Sequence, residues 1–436
     1  MQGSRTLVTL IALVSLAMAC APTALLAPTV SPPPTATLTP PPSPTDEPIP
    51  TPTPGPTSTA ELASPTPAEA SRAFGRVMDV SDIVPGEFRR FHRTADTVWL
   101  ITDVGFARLD DGAWRVSVSD VPGTPVGVDG ANRPWVVSAD TKTISAWNGS
   151  SWTTYADGTG WLPVASDDEP CHNGWMEPDG VGRLWLTTCR DVRAFDGDRW
   201  TVYSPADMGM AEVGPQESWA TFTLEVAGSG VWVGTCDWGG PGPVGGQGVR
   251  WFDGETWRGA DSPVAAGCAT DIVEGSQGEV WIALDNRLWR HSPDTGEWID
   301  LPPPEPPIAD MRFGFADALT LDPSGNVWPA MVLCGGASCY GSIVLYQVED
   351  AEWTQIGEPL DFGGGIPAPQ VLGDGTGARW LSWAGSLYRL QDDVPESVPN
   401  LGFVRDTIVD GTGRVWLAVE DQGRSVLWAQ SAETGQ

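Results

Sequence analysis

Histidine and basic side chains are what this 436-residue chain has least of: three His, and 24 Lys and Arg against 56 Asp and Glu, for a formal net charge of −32. So acidic a chain has no basic footprint with which to neutralise phosphates, and nucleic acid is excluded as an expected partner. Solubility is the first consequence of that charge; a cationic partner or a divalent ion stays open beside it. Three histidines leave little for general acid–base chemistry, and no Ser or Cys stands in a nucleophile-elbow or triad context. The seven cysteines lack the paired C-x-x-C spacing of a structural zinc site, and neither metal nor cofactor is expected. Beyond residue 20 no run is long and apolar enough to cross a membrane as a helix. Kinase-like and helix-turn-helix segments are not recognisable either, so a sensor built on this chain would signal through a partner.

Tryptophan, in contrast, is abundant, and its spacing carries the architecture. Trp99, Trp135, Trp185, Trp232, Trp281, Trp328, Trp380 and Trp416 lie 36 to 52 residues apart, which is one supersecondary unit per copy. Most are preceded by a turn rich in Asp, Gly and Ser, as in DGANRPW, DGVGRLW, GSQGEVW, DPSGNVW, DGTGARW and DGTGRVW. Gly tolerates positive φ and Asp bonds its own turn backbone, so the chain reverses tightly there. A second Asp-Gly hairpin follows in ARLDDGAW, RAFDGDRW and VRWFDGETW. The second tryptophans are Trp114, Trp152, Trp200, Trp257, Trp298 and Trp353; the last two copies lack one.

Each copy therefore supplies four short antiparallel strands, A to D, with the anchor Trp at the start of strand B. A lone sheet of about 45 residues cannot bury both faces, whereas copies set around an axis can, with aromatics filling the gaps. The expected fold is all-β: a single β-propeller of four-stranded antiparallel blades over 71–436. The final copy stops after strand C, and the orphan segment Gly75 to Ile83 is expected to supply its missing outer strand and close the ring. Eight blades are expected; seven is the alternative if a 36-residue interval hides a degenerate unit.

The alternation of D-x-x-G-x-hydrophobic-Trp with an apolar strand and an Asp-Gly hairpin resembles the two-component regulator propeller repeat. That family occurs in extracytoplasmic sensor regions of hybrid kinases and in free-standing secreted proteins. A more distant resemblance is to streptogramin lyase-type propellers, which share D-x-x-G-x-x-W. Both imply a propeller and say little about a ligand.

Residues 1–20, MQGSRTLVTLIALVSLAMAC, place Arg5 before an apolar run too short to span a bilayer, as a signal peptide does. The segment resembles a bacterial lipoprotein signal with lipidation at Cys20, although Ala17 stands where Leu is commoner. Without lipidation the chain would be secreted. Residues 21–70 are Pro, Thr, Ser and Ala, a disordered linker of polyproline II character that cannot form a core. Six cysteines remain, and the simplest pairing is Cys171 with Cys189, Cys236 with Cys268 and Cys334 with Cys339.

In a propeller, strand A lines the central channel and the D-to-A and B-to-C loops share one rim. The two largest insertions, CDWGGPGPVGGQG and LCGGASCYGS, fall in B-to-C loops, where loop-borne function is expected. Trp161, Trp219, Trp238 and Trp383 stand off the repeat pattern on that rim, with His172, Arg190, Asp237, Asp271, Arg312, Asp317, Arg405 and Asp406 near them. Aromatics among mixed charges suit a sugar, a peptide or an amine, and each could equally pack or solvate its own loop. Asp167, Asp168 and Glu169 could hold Ca²⁺, but oxygen-rich turns usually only solvate. Asn148-Gly149-Ser150 fits a glycosylation sequon and, in a bacterial lipoprotein, reads as a hairpin turn.

The expected function is a noncatalytic, monomeric module at the bacterial cell surface, held to the membrane only by its lipid, binding a small-molecule, glycan or protein ligand at its rim. Two alternatives stay open. One is an extracytoplasmic lyase or hydrolase using His172 with Asp271 or Asp317 at the channel mouth; the other is a structural envelope scaffold.

Overall fold

In the computed structural model of the chain, the described residues are 74–94, 97–138, 143–156, 176–187, 191–211, 220–239, 242–322, 324–335, 338–361, 369–391 and 394–431. All belong to one compact unit, 63–436. The expected signal segment, 1–20 with Cys20, and the linker, 21–70, lie outside the described residues.

Eight antiparallel sheets follow one another along the chain, each ordered A-B-C-D. Blade 5 is representative: strand A is Ala269–Glu274, B is Val280–Leu284, C is Arg287–Ser292 and D is Glu297–Leu301. Apolar residues are concentrated in strand B, whose five residues in blade 5 are all buried, while strand D is mostly half-buried or exposed. Burial thus decreases from the second strand outward, as expected for sheets packed face to face around an axis.

Eight hydrophobic clusters hold the ring, one between each blade and the next, including blade 8 with blade 1. Every anchor Trp sits in the cluster facing the following blade, and in six of the eight clusters that blade's second Trp sits there too; blades 7 and 8 have none. Ring centroids are 5.5 Å apart for Trp416 and Trp114, 6.4 Å for Trp135 and Trp200, 6.3 Å for Trp185 and Trp257, and 6.2 Å for Trp232 and Trp298. Two tryptophans per repeat therefore form one inter-blade joint, with the edge-to-face or tilted geometry that aromatic quadrupoles favour.

The missing outer strand of blade 8 is Phe74–Asp79, paired with Arg424–Gln430 from Phe74↔Gln430 to Asp79↔Val426. Phe74 also takes the place of the absent second Trp, its ring edge-on to Trp380 at 4.9 Å. Eight blades leave no room for the seven-blade alternative. Two details differ from the sequence expectation. The closing segment is strand only to Asp79, with Val80–Ile83 forming one helical turn that buries Val80. Blade 4 carries a fifth strand, Gly242–Gly245, paired with the end of its strand B.

The A–B turns are fixed by a repeated side-chain latch. In blades 2, 3, 6, 7 and 8 an Asp standing six residues before the anchor accepts the indole Nε1–H on one carboxylate oxygen. Its other oxygen accepts backbone N–H groups two and four residues on, as Asp374 does from Thr376 and Ala378. Blades 1, 4 and 5 lack that Asp and satisfy their indoles through Asn132, Ser229 and Glu279. Asn148 does act as a hairpin turn, its side-chain oxygen accepting from the N–H groups of Ser150 and Ser151.

Candidate functional site

Strand A of one blade does not share a ladder with strand A of the next, so its channel-facing polar groups need other partners. Side chains provide them in a circumferential girdle. Asp406 of blade 8 accepts the Phe91 N–H of blade 1 at 2.7 Å, and His92 of blade 1 donates to the Val128 carbonyl of blade 2 at 3.0 Å. Glu225 accepts from Glu274 N at 3.1 Å, and Asp271 accepts from Leu319 N at 2.8 Å. Gln370 bridges blades 7 and 8, donating to Asp406 and accepting the Thr407 hydroxyl. Backbone bulges within the A strands of blades 1, 5, 6 and 8 re-aim side chains along this girdle.

Channel electrostatics follow from that burial. Arg90 donates through Nη2 to His92 Nδ1 at 3.1 Å and lies 3.8 Å from Glu177. Because Arg only donates, Nδ1 is the acceptor and His92 carries its proton on Nε2. Burial and the neighbouring Arg90 charge lower His92 to about 4, so it is neutral at physiological pH. Burial raises Glu225 to about 8 against the Glu274 N–H bond, helped by Asp271, Glu177 and Glu274. Native Glu225 therefore keeps a proton that the unfolded chain loses near 4.5, and stability should fall as pH rises between those values. His92 acts oppositely between about 4 and 6.5, which leaves 6.5 to 8 for the comparison of parent and variant, the carboxyls of Glu177 and Asp406, also raised by burial, being common to both. There Glu225→Gln should remove a decline of at most about 1.4 kcal/mol per pH unit in urea-unfolding free energy. An unchanged slope in the variant would assign the decline to other groups.

The rim residues read from sequence separate into three groups. Trp161, His172, Arg190 and Trp219, with Asp167, Asp168, Glu169, Cys171 and Cys189, lie outside the described residues. For Asp237, Trp238 and Asp317 the backbone is described, as strand, and the side chain is not. The rest are placed. Trp383 is 3% exposed in the cluster between blades 6 and 7, so its ring packs a core instead of facing a ligand. Asp271 and Asp406 are committed to the girdle. Arg405 is exposed at the start of blade 8 strand A and is paired with Glu420, Nε to Oε2 2.9 Å. Arg312 is exposed on blade 6 opposite Cys334.

What the structure adds is a difference in strand length. Strand B ends three residues past its anchor Trp in blades 1, 2, 5 and 7, but seven past it in blades 4 (Gly230–Gly239) and 6 (Val327–Gly335). Four extra residues add about 13 Å of strand to each; on blade 6 the first three, Val332, Leu333 and Cys334, are buried and Gly335 is exposed. Between these blades lies blade 5, whose B–C connection is a tight turn at Asp285. The two lengthened strands thus belong to the blades on either side of blade 5, with Arg312 paired beside the end of one and residues 237–239 ending the other.

Cys236, on the lengthened strand of blade 4, is disulfide-bonded to Cys268 at the entry to blade 5, as the sequence pairing anticipates. Cys334, near the end of the lengthened strand of blade 6, is disulfide-bonded as well, and the side chain of Cys339 is not described. Replacing Cys236 and Cys268 together with Ser frees a 32-residue span and should cost about 2–4 kcal/mol of stability, seen as a lower melting temperature in non-reducing buffer. A melting temperature unchanged by the double substitution would mean that packing alone holds the strand.

No protein family and no curated protein matches the sequence. Solved structures do. The Dos1 propeller aligns with a TM-score of 0.52 at 8% identity, covering 83% of this chain and 96% of that one. A catalytically inactive virginiamycin B lyase from Staphylococcus aureus, with quinupristin, aligns at 0.43 and 13% identity over 72% of this chain and 98% of its own. The extracellular domain of a putative one-component system from B. thetaiotaomicron aligns at 0.41 and 14% identity over 78% of this chain, which spans only 39% of that protein. Both kinds of propeller that the repeat resembles are thus among the similar structures. At these identities the likeness is one of fold, and the chain is an eight-bladed β-propeller.

Proposed function

We propose that this propeller is a noncatalytic, extracytoplasmic interaction module whose working surface is a cleft over blade 5, between the lengthened strands of blades 4 and 6. The observation that carries the reading is the pair of strands B extended by four residues on the two blades that flank blade 5, the one on blade 4 fastened to the entry of blade 5 by the Cys236–Cys268 disulfide. The two insertions differ in length, yet each continues the strand B of a blade that flanks blade 5. The lengthened strands are buried up to Cys236 and Cys334 and exposed at Gly335, and a rim built on so rigid a base suits a macromolecular partner or an extended peptide better than a small buried ligand.

Catalysis is less well supported than binding. His92 donates to Val128 and accepts from Arg90, His291 bonds the Glu297 carbonyl and stacks on Trp298 at 4.2 Å, and Asp271 holds Leu319. Of the groups that the lyase reading recruits, Asp271 is tied into the scaffold, while His172 and the Asp317 side chain lie outside the described residues. An oxidising, extracytoplasmic setting fits the disulfide, the signal-like residues 1–20 and the Pro/Thr stretch, which would display the propeller away from the membrane through a lipid on Cys20.

Trimming the lengthened strand B of blade 6 to the strand length of blade 5 tests the proposal. The trimmed chain should remain folded yet lose the partner that the parent retains after chemical crosslinking on intact cells. Retention of the same partner by the trimmed chain would remove the cleft from consideration.

A further inference from the structure

The face opposite the cleft has its own irregularity, also at blade 5. Where five blades place the latch Asp six residues before the anchor, blade 5 has Gly275, in the turn Glu274-Gly275-Ser276-Gln277-Gly278-Glu279. Trp281 falls back on Glu279, whose two carboxylate oxygens take the indole and the Gln277 N–H. Arg290, directly across the ladder from Trp281, lays its guanidinium over that indole at 5.5 Å. In blades 2 and 3 the Arg stacked on the anchor pairs with the latch Asp, Arg133 with Asp129 at 2.7 Å and Arg183 with Asp179 at 2.6 Å. Arg290 has no such partner. Its Nε is shut off from solvent without an acceptor, and no hydrogen bond or ion pair from it is present among the described residues.

Arg290 also lines an open, polar cavity of about 670 Å³ between the turns of blades 4, 5 and 6. Exposed Asp294, Glu349 and Asp350 form the lip; Ser276, Gln277 and Asn326 line the walls with Glu274 and Glu279, whose carboxylates accept from the Gly228 and Gln277 N–H groups. One unpartnered cation with carboxylates around the rim is a poor site for a simple anion, which the lip repels, and for a simple cation, which Arg290 repels. It complements a molecule that carries both charges. The volume lies in the range that holds an organic ligand of several residues' size, and the walls offer the alternating donors and acceptors that a peptide backbone uses.

We propose that this cavity binds a short zwitterionic peptide, its terminal carboxylate on Arg290 and its ammonium among the lip carboxylates. The ligand's carboxylate would supply what the latch Asp supplies to the stacked Arg in blades 2 and 3. The guanidinium fork, pre-oriented by stacking, suits that role.

Calorimetric titration of the full chain with L-Ala-L-Ala-L-Ala is the test, alongside its N-acetylated and C-amidated forms, maltotriose and spermidine. The free tripeptide should bind, and blocking either terminus should weaken it about tenfold. Arg290→Gln should do the same while leaving the melting temperature within a few degrees. Gly275→Asp, whose side chain would displace the Glu279 carboxylate and set its own beside Trp281 and Arg290, should also abolish binding. Four outcomes would overturn the proposal: no tripeptide binding at millimolar concentration; equal binding of the blocked forms; preference for maltotriose or spermidine; or unchanged binding to a folded Arg290→Gln chain.

Discussion

Asp410→Ala is expected to destabilise the propeller by about 3–5 kcal/mol, read from chemical denaturation at neutral pH. Asp410 is 7% exposed and sits under Trp416, itself 1% exposed. One oxygen accepts the Thr412 N–H at 2.8 Å, the Thr412 hydroxyl at 2.6 Å and the Arg414 N–H at 3.1 Å; the other accepts the indole N–H of Trp416 at 2.8 Å. Burial alone would raise this carboxyl, and the bonds from Thr412, Trp416 and Arg414 outweigh it and hold the pKa below its ordinary value. Alanine strands several buried donors at once, each costing about 1–3 kcal/mol unless the turn rearranges. Asp410→Asn keeps one acceptor and should cost roughly half as much. Because the native pKa is depressed, Asp410's contribution is complete above the unfolded value and is lost as the solution is acidified through the native one. A loss below about 1 kcal/mol for the alanine variant would reduce the latch to ordinary turn chemistry.

Phe74→Ala should cost a comparable amount, about 3–5 kcal/mol, although Phe74 opens the first described strand and is remote in sequence from everything it touches. Its ring is 4% exposed, edge-on to Trp380 in the cluster between blades 7 and 8. The strand that carries it covers the outer edge of Arg424–Gln430. Removing residues 74–79 altogether would uncover that ladder edge, a template for pairing with another chain. Such a protein should both melt earlier and associate in size-exclusion chromatography, whereas Phe74→Ala should melt earlier and stay monomeric. A truncated protein that matched the parent in both measurements would mean that blade 8 is stable with three strands.

The architecture was legible because it repeats. One Trp at the start of each strand B and one Asp-Gly hairpin after it are local signals, and eight copies of a local signal leave few other folds. The closing strand could be read because the last copy lacks a strand D and an unassigned apolar–polar segment precedes the first. The lengthened strands could be read as loop insertions, but not as strands, since nothing in CDWGGPGPVGGQG states that it continues the β-ladder of blade 4.

The girdle was illegible for a physical reason: its partners are distant in sequence. Phe91 and Asp406 are 315 positions apart, and Asp271 reaches Leu319 across a blade boundary. Read along the chain, Asp271 and Asp406 are acids near a channel mouth, and only the ring shows that their oxygens are taken by backbone N–H groups. Trp383 misleads in the same way. It breaks the Trp repeat and so suggests an exposed ring, yet it fills the joint between blades 6 and 7. The latch was half visible, since the turn Asp was assigned to its own backbone and the indole six residues on was not. That spacing, constant from Asp129 to Trp135 and from Asp410 to Trp416, was the available signal.

The measurement that bears most directly on the proposed role is site-specific photocrosslinking on intact cells. A benzoylphenylalanine at Arg312, exposed on blade 6, is compared with one at Val202, exposed on the outer strand of blade 3. The cleft reading predicts a discrete adduct from position 312 and none from position 202. Adducts from position 202 alone, or an identical ladder from both positions, would contradict it.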